Sequence, residues 1–424
     1  MATRLEAKFR RQAWTVEHAR QAVLDRLRPA PTELVGLGDA IGRRLAEDVR
    51  TEEPIPRFRR SGMDGFAVRS EDIAQASPLA PVELKVVERI PCGEVPRQTI
   101  ARGQAARIMT GGMVPDGADT VVMLEMTEEV TRGSGASVII RRAVSEGANL
   151  SPIGEEAASG AVLLRRGERI GAGQAAVLAA LGYSRVSVFR RPKVAILSTG
   201  TELLQVEEPL AAGKIRNSNA YMLAAQIMSA GGEPLFAGQV PDDAARAERM
   251  IYGLLSSDAD LVIATGGVSV GDYDIMADFF LRWKGTTLFN KVAMRPGSPT
   301  SAGVWRDKFL LGLSGNPSAC FVGFELFVRP VLLGMQGAAE PLPRPFAAYL
   351  DEDYRKVNAY PRYIRGSWHI RDGQCYVRPV GLDQSSAMLS IKEAACLIVI
   401  PPTKTGIGRG ELVQAIPLEG AMFL

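Results

Sequence analysis

Histidine is nearly absent: His18 and His369 are the only two in 424 residues. With so few, a zinc site of the usual His/Cys type or a Ser-His-Asp triad is disfavoured. Chemistry here falls to carboxylates, backbone amides, Lys and Arg, and a hard cation such as Mg²⁺. Cysteine is also scarce. Cys92, Cys320, Cys375 and Cys396 are scattered with no CxxC pair and read as reduced, mostly core thiols of a cytoplasmic protein. No apolar run reaches about eighteen residues, which argues against a membrane span. The opening MATRLEAKFRRQAW is basic but lacks an apolar stretch, so it does not read as a secretory signal. Net charge is only +3, which argues against a dedicated nucleic-acid binder. Neither GxGxxG nor GxxxxGKS/T occurs in the loops with chemical promise, and there is no internal repeat.

What is present fits a globular chain, with 46% hydrophobic and 23% charged residues. Its length predicts roughly two to four domains. Thr15 is placed to cap a helix with Val16, Ala19, Val23 and Leu27 on one face, ended by Pro29. After Glu52 come prolines, a basic cluster from Arg57 to Arg60 and short β-branched runs, with a hairpin turn in RGSGAS at Arg132–Ser137. A second helix from Gln174 to Leu181 stops at Gly182. From Arg191 strands alternate with helices. KVAILS, PLFAGQV, LVIAT, TLFNKVAM and FLLGLS read as strands. The helix in DDAARAERMIYGLLSS takes Asp242 as its cap, and the one in NPSACFVGFELFVRPVLL takes Asn316, with Pro317 at its first position. Such alternation predicts a parallel sheet covered on both faces, with ligands beyond the carboxyl ends of its strands. Thr199–Glu202, Gly266–Asp274 and Ser314–Pro317 therefore meet on one rim. AAEPLPRPF reads as a linker to a small C-terminal β-barrel or sandwich.

The loops admit two readings each. In TGGVSVGDYD, glycines let backbone amides approach an anion, and Asp242, Asp272, Asp274 and Glu202 suggest Mg²⁺ between carboxylates and phosphate. The alternative is a tight strand-end turn whose acids cap the next helix. Asp64 in SGMDGFAV is equally an Asp-Gly turn. RIMTGGMVPDGADTVVMLE offers a free Thr110 hydroxyl or simply a loop. Lys291 and Arg295 in NKVAMRPGSP, with Ser385 and Ser386, can hold an oxyanion, although such groups are often just solvated.

Taken in order, SGMDGFAV, RIMTGGMVPDGADTVVMLE, VAILSTGTELL, VPDD, TGGVSVGDYD, VAMRPGSP, GLSGNPSA and QSSAMLSIKEAACLIVIPP resemble the MoeA family of molybdopterin molybdotransferases, which includes the gephyrin E-domain. The resemblance implies a multidomain α/β plus β fold. A discontinuous, elongated dimerisation domain would occupy 1–49 and 149–188, with a β-rich domain inserted at 50–148. A doubly wound, parallel-sheet molybdopterin-binding domain would follow at 189–336 and a C-terminal β-barrel at 337–424.

It also implies a cytoplasmic homodimer whose active site is shared between subunits, with no nucleic acid and no membrane partner, and contact with the upstream adenylyltransferase. The expected reaction inserts molybdate into adenylylated molybdopterin and releases AMP, with Mg²⁺. Asp64, Thr110, Glu202, Asp242, Asp274 and Lys291 would be catalytic, Asp64 and Thr110 coming from the partner subunit. Asp242, Asp274 and Glu202 would hold the metal. Gly266, Gly267, Ser269, Arg295, Ser298, Ser314, Asn316, Pro317 and Ser386 would bind the pterin substrate and the oxyanion.

The chain departs from the family at Thr201, where Asp is usual, at Arg295 and Ser298, where Lys is usual, and at Ser314, where Pro is usual. The family's GED appears as Gly154-Glu155-Glu156. The loss of one Lys implies weaker oxyanion binding. Two other classes stay open. One is a scaffold that holds molybdopterin or docks a partner. The other is a molybdopterin adenylyltransferase, against which stands GGVSVG where that sister family shows GGTG.

Overall fold

The computed structural model describes residues 12–132, 135–240, 243–267 and 275–418. The chain forms two compact units, Asp48–Arg165 and Met1–Glu47 with Arg166–Leu424.

The Asp48–Arg165 unit is built on a six-stranded mixed sheet, in the order Thr120–Met123, Gly65–Val68, Gln104–Ile108, Val82–Ile90, Gly135–Ile140, Thr127–Arg132. Alternation along Gly65–Val68 sends Phe66 and Val68 to one apolar layer and Ala67 to the other. The expected hairpin forms, with Arg132 opposite Gly135; its turn lies outside the described residues. Gly65 is not part of a hairpin turn. It opens a strand paired with Ile108 and Met123, and a Cβ there would lie 2.0 Å from the Val122 carbonyl oxygen. Asp64 sits in the bend just before it.

The larger unit holds the α/β sheet: β1 (Lys193–Thr199), β2 (Glu233–Val240), β3 (Leu261–Thr265), β4 (Thr286–Phe289), β5 (Ser301–Trp305) and β6 (Lys308–Leu313). The order is β2-β1-β3-β6-β5-β4. The first four are mutually parallel, while β5 and β4 add antiparallel at one edge. Residues of β1 and β3 point alternately to two apolar layers. Val194, Ile196, Leu261 and Ile263 meet the helix Ser218–Ser229 and the helix that begins at Pro317. Ala195, Leu197, Val262 and Ala264 meet the helices Ala244–Ser256 and Ile275–Leu281.

Two sequence expectations shift. The strand expected in TLFNKVAM ends at Phe289, so Lys291–Met294 belongs to a loop. The helix expected to be capped by Asp242 is capped by Asp243, whose carboxylate accepts from the Arg246 N–H at 3.0 Å.

Pro317–Gly323, a π turn over Phe324–Val328, and Arg329–Met335 run on as one helix of 19 residues. Its length and composition would suit a bilayer, but 94% of its apolar window is buried inside the fold. It also carries the buried ion pair Glu325–Arg329 at 2.6 Å. The helix Val16–Leu24, capped by Thr15, packs on it with Val16, Ala19 and Val23 buried. Thr32–Gly36 pairs with Arg185–Phe189. The chain finishes in a closed five-stranded barrel, Phe346–Leu350, Gln374–Pro379, Arg362–Arg371, Cys396–Ile400 and Leu412–Pro417. Cys320 and Cys396 are buried, as expected, whereas Cys92 is exposed.

Candidate active site

Parallel strands β1, β3 and β6 end together, and their loops knit at the rim. The Gly266 N–H donates to Leu313 O at 3.1 Å, and the Thr265 hydroxyl donates to Ser314 O at 3.1 Å. Asn219, from the Ser218–Ser229 helix, donates to Gly315 O at 2.8 Å and to Thr265 Oγ1 at 3.1 Å. Gly266 has φ +97°, and a Cβ there would sit 2.3 Å from Thr199 O, so the close approach of two loops requires this glycine. Asn219 Oδ1 is buried with no hydrogen-bond partner among the described residues. It belongs to a small pocket of about 60 Å³ whose walls include Glu202, Asn217, Asn219, Thr265 and Pro317.

The Ser314–Pro317 loop also borders a second, larger cleft of about 660 Å³. Ser314, Asn316 and Arg295 face it from the α/β domain. Arg362, Asp383, Gln384, Ser385 and Ser386 face it from the C-terminal segment. A parallel bridge sets Arg295 beside Arg362. Asn316 holds the cap position of its helix but makes no side-chain cap bond; its amide donates to Ser385 Oγ at 3.4 Å. The Ser318 N–H donates to Ser385 O at 3.0 Å and so fixes the serine loop.

Asp383 Oδ2 accepts from Tyr354 at 2.7 Å, Lys356 at 3.1 Å and Arg362 at 2.8 Å. Burial alone would raise its pKa, but these donors and the two positive charges outweigh burial and hold the carboxyl below its ordinary value. Arg362 is thus paired, while Arg295 is exposed and has no ion-paired partner among the described residues. The cleft keeps one excess positive charge amid hydroxyl and amide donors, a surface suited to a small oxyanion.

The structure separates the remaining residues picked from sequence. Lys291 is half-buried on the loop that leads to Arg295. Ser298 is buried, and its hydroxyl donates to Val292 O at 2.7 Å rather than facing the cleft. Glu202 is exposed, its carboxylate folded over Gly200. Thr201 lends its carbonyl to Lys214 Nζ at 2.6 Å. Gly267 follows in the same turn, at φ +57°. Asp242, Ser269 and Asp274 lie outside the described residues. Among the described residues no group of three His, Cys, Asp or Glu could hold a metal. The rim donors that are described, the Glu202 carboxylate and Thr199 hydroxyl, are hard oxygens that fit Mg²⁺ better than a soft metal.

In the Asp48–Arg165 unit, Asp64 and Thr110 come together. Asp64 Oδ1 accepts from the Thr110 N–H at 2.6 Å and from its hydroxyl at 2.7 Å. These two bonds, the backbone one first, hold the fully exposed carboxyl below its ordinary pKa. Gly111 donates to Ser61 O at 2.8 Å and Leu124 to Asp64 O at 3.0 Å, fixing both loops.

Comparison with known proteins adds three matches. The MoeA N-terminal region (domain I and II) matches residues 14–182, a probable molybdopterin binding domain matches 195–334, and the MoeA C-terminal region (domain IV) matches 347–418. The chain belongs to the MoeA family.

A molybdopterin molybdenumtransferase of Bacillus subtilis (strain 168) is 42% identical over 401 residues, covering 95% of this chain and 93% of that protein. One from Staphylococcus aureus (strain MSSA476) is 40% identical over 404 residues, covering 95% of each. The crystal structure of a molybdopterin biosynthesis moeA protein from Pyrococcus horikoshii OT3 superposes with a TM-score of 0.82 at 31% identity, covering 96% of this chain and all of that one.

In this MoeA-family chain, sequence reasoning overlooked Arg362, Asp383 and Gln384, which no local motif marks. They enter the cleft only because barrel strand Arg362–Arg371 bridges to Arg295. Asn217 caps the Ser218–Ser229 helix, its side chain accepting from the Ala220 N–H at 3.3 Å, and Asn219 turns to the rim.

Proposed function

We propose that this protein inserts molybdate into adenylylated molybdopterin with release of AMP, a step of molybdenum cofactor biosynthesis. One observation carries the reading: relatives that share about the whole length of the chain at 42% and 40% identity are named molybdopterin molybdenumtransferase. The cleft supports it chemically. Arg295, Ser314, Asn316, Ser385 and Ser386 offer a cation and neutral donors to molybdate, and Arg362 is kept in place by Asp383. The pterin substrate is assigned to the open rim outside the small pocket, which has room for only one of its polar groups, where Asn219 and Thr265 stand at loop junctions.

Glu202, with Asp242 and Asp274, would hold Mg²⁺, which when bound neutralises phosphate charge on the leaving group. Asp64 and Thr110 are assigned to the same reaction from a partner subunit. Met63, Met109 and Leu124 beside them are 44%, 36% and 40% exposed, a degree of apolar exposure that a covering partner would relieve. The four-domain division, with boundaries near 49, 148, 188 and 336, belongs to this proposal. So do the cytoplasmic homodimer and contact with the upstream adenylyltransferase.

The test is a single turnover with purified protein, adenylylated molybdopterin, Mg²⁺ and molybdate, following AMP and protein-retained molybdenum together. Both should rise with matched kinetics, and chelation of Mg²⁺ should stop AMP release. Pterin binding without AMP release or molybdenum retention would instead mark a scaffold.

A further inference from the structure

The loop from Lys291 to Ser298 carries Arg295, one of the two arginines that line the cleft, yet it lies beyond the end of β4 and is outside any named strand. Two separate segments and one clasp within the loop hold it. Trp14 adds alongside as a single bridge: its N–H donates to Lys291 O at 3.0 Å, and its carbonyl accepts from Ala293 at 2.7 Å. At the other end Arg295 donates to Pro361 O at 2.9 Å and accepts from Tyr363 at 2.8 Å. Across the middle, Val292 donates to Ser298 O at 2.9 Å, and the Ser298 hydroxyl returns a bond to Val292 O at 2.7 Å.

We propose that Ser298 is a positioning residue: its hydroxyl, working with the Trp14 backbone, holds the loop so that Arg295 keeps the geometry that receives the oxyanion. This rests on the reading of the cleft as the molybdate site. The hydroxyl has one proton, and the bond to Val292 O uses it. Ser298 is itself 7% exposed and does not line the cleft, so it acts through the loop and not on the ligand. A flexible cation-bearing loop must be ordered when the anion binds; a loop closed in advance has already met that cost. Ser298 thus acts as a brace, and Arg295 carries the contact with its forked donors.

Ser298→Ala removes the brace but leaves Val292 O with the Met294 N–H, which donates at 2.9 Å, so the fold retains a partner for that carbonyl. Ser298→Thr keeps the hydroxyl. The measurement is the single-turnover assay across molybdate concentrations, with thermal unfolding of each variant alongside. In Ser298→Ala the molybdate half-saturation should rise roughly five- to tenfold, the scale of one lost hydrogen bond. The rate at saturating molybdate should stay within about twofold, and Ser298→Thr should return half-saturation to the wild-type value.

Equal half-saturation in wild type and a folded Ser298→Ala would overturn the proposal, as would a loss of saturating rate that Ser298→Thr fails to restore. Should Ser298→Ala not fold, Trp14→Pro, which deletes the N–H donor to Lys291, must raise half-saturation, and an unchanged value overturns the proposal. If wild type inserts no molybdate at any concentration, it is the reading of the cleft that fails.

Discussion

Asp64 shows how a single exposed side chain can be tuned without burial. Two donors from one residue, the N–H and O–H of Thr110, converge on one oxygen. Both favour the ionised form, so the folded pKa lies below that of the unfolded chain. The sign follows directly: the stabilisation is present above the ordinary carboxylate pKa and fades as pH falls through the lowered folded value. Thr110→Val keeps the backbone donor and deletes the hydroxyl. The Asp64 pKa should then move part of the way back up, measurable by following its carboxyl carbon in an NMR pH titration. No upward movement would mean that the hydroxyl bond does not form in solution. The family resemblance pointed to both residues, but not to their bond. They are 46 residues apart, and only the pairing of Gly65–Val68 with Gln104–Ile108 brings them together.

Elements were legible where pattern and burial agree. LVIAT and FLLGLS are continuous apolar runs because they form interior strands covered on both faces, and they are strands in the structure. SAGVW escaped notice because β5 begins with small residues and joins antiparallel beside its neighbour, where no crossover helix announces it. The cleft was half legible. Its Ser314–Pro317 wall follows from a strand-to-helix junction, while its Arg362–Asp383 wall depends on the barrel's docking, which has no local signal.

The central helix hides a further feature of this kind. Its apolar run contains Glu325 and Arg329 in a two-bond pair at 2.6 and 3.0 Å, with Gln226 donating to Glu325 at 2.7 Å. Side-chain exposure of the pair is 5% and 8%. Arg329→Ala would leave a carboxylate buried with only an amide donor, which costs about 3–5 kcal/mol. Replacing both with Leu and Met should cost much less, since no charge is then stranded. Denaturant unfolding of the two variants checks this. Equal losses would show that packing, and not the unpaired charge, dominates.

At the scale of the whole molecule the question is which chains supply one active site. Asp64 and Thr110 sit in the compact unit Asp48–Arg165, and the α/β rim sits in the other unit. The proposal gives each active site one unit from each of two subunits, as in a two-fold dimer with two equivalent sites. This makes a sharp prediction for Asp64→Ala and Asp274→Ala, each inactive alone. If the residues meet in trans, a mixed dimer carries both lesions in one site and none in the other. Random exchange of equal amounts makes half the dimers mixed, and half of their sites intact, so activity should recover to about a quarter of wild type. If the residues meet within one chain, every site in every dimer keeps one lesion and nothing recovers. The measurement is AMP release after mixing, with exchange followed independently by fluorescence transfer between labelled subunits. Confirmed exchange without recovery would place Asp64 and the rim acids in the same subunit's site, and the exposed Met63, Met109 and Leu124 would then need a different explanation.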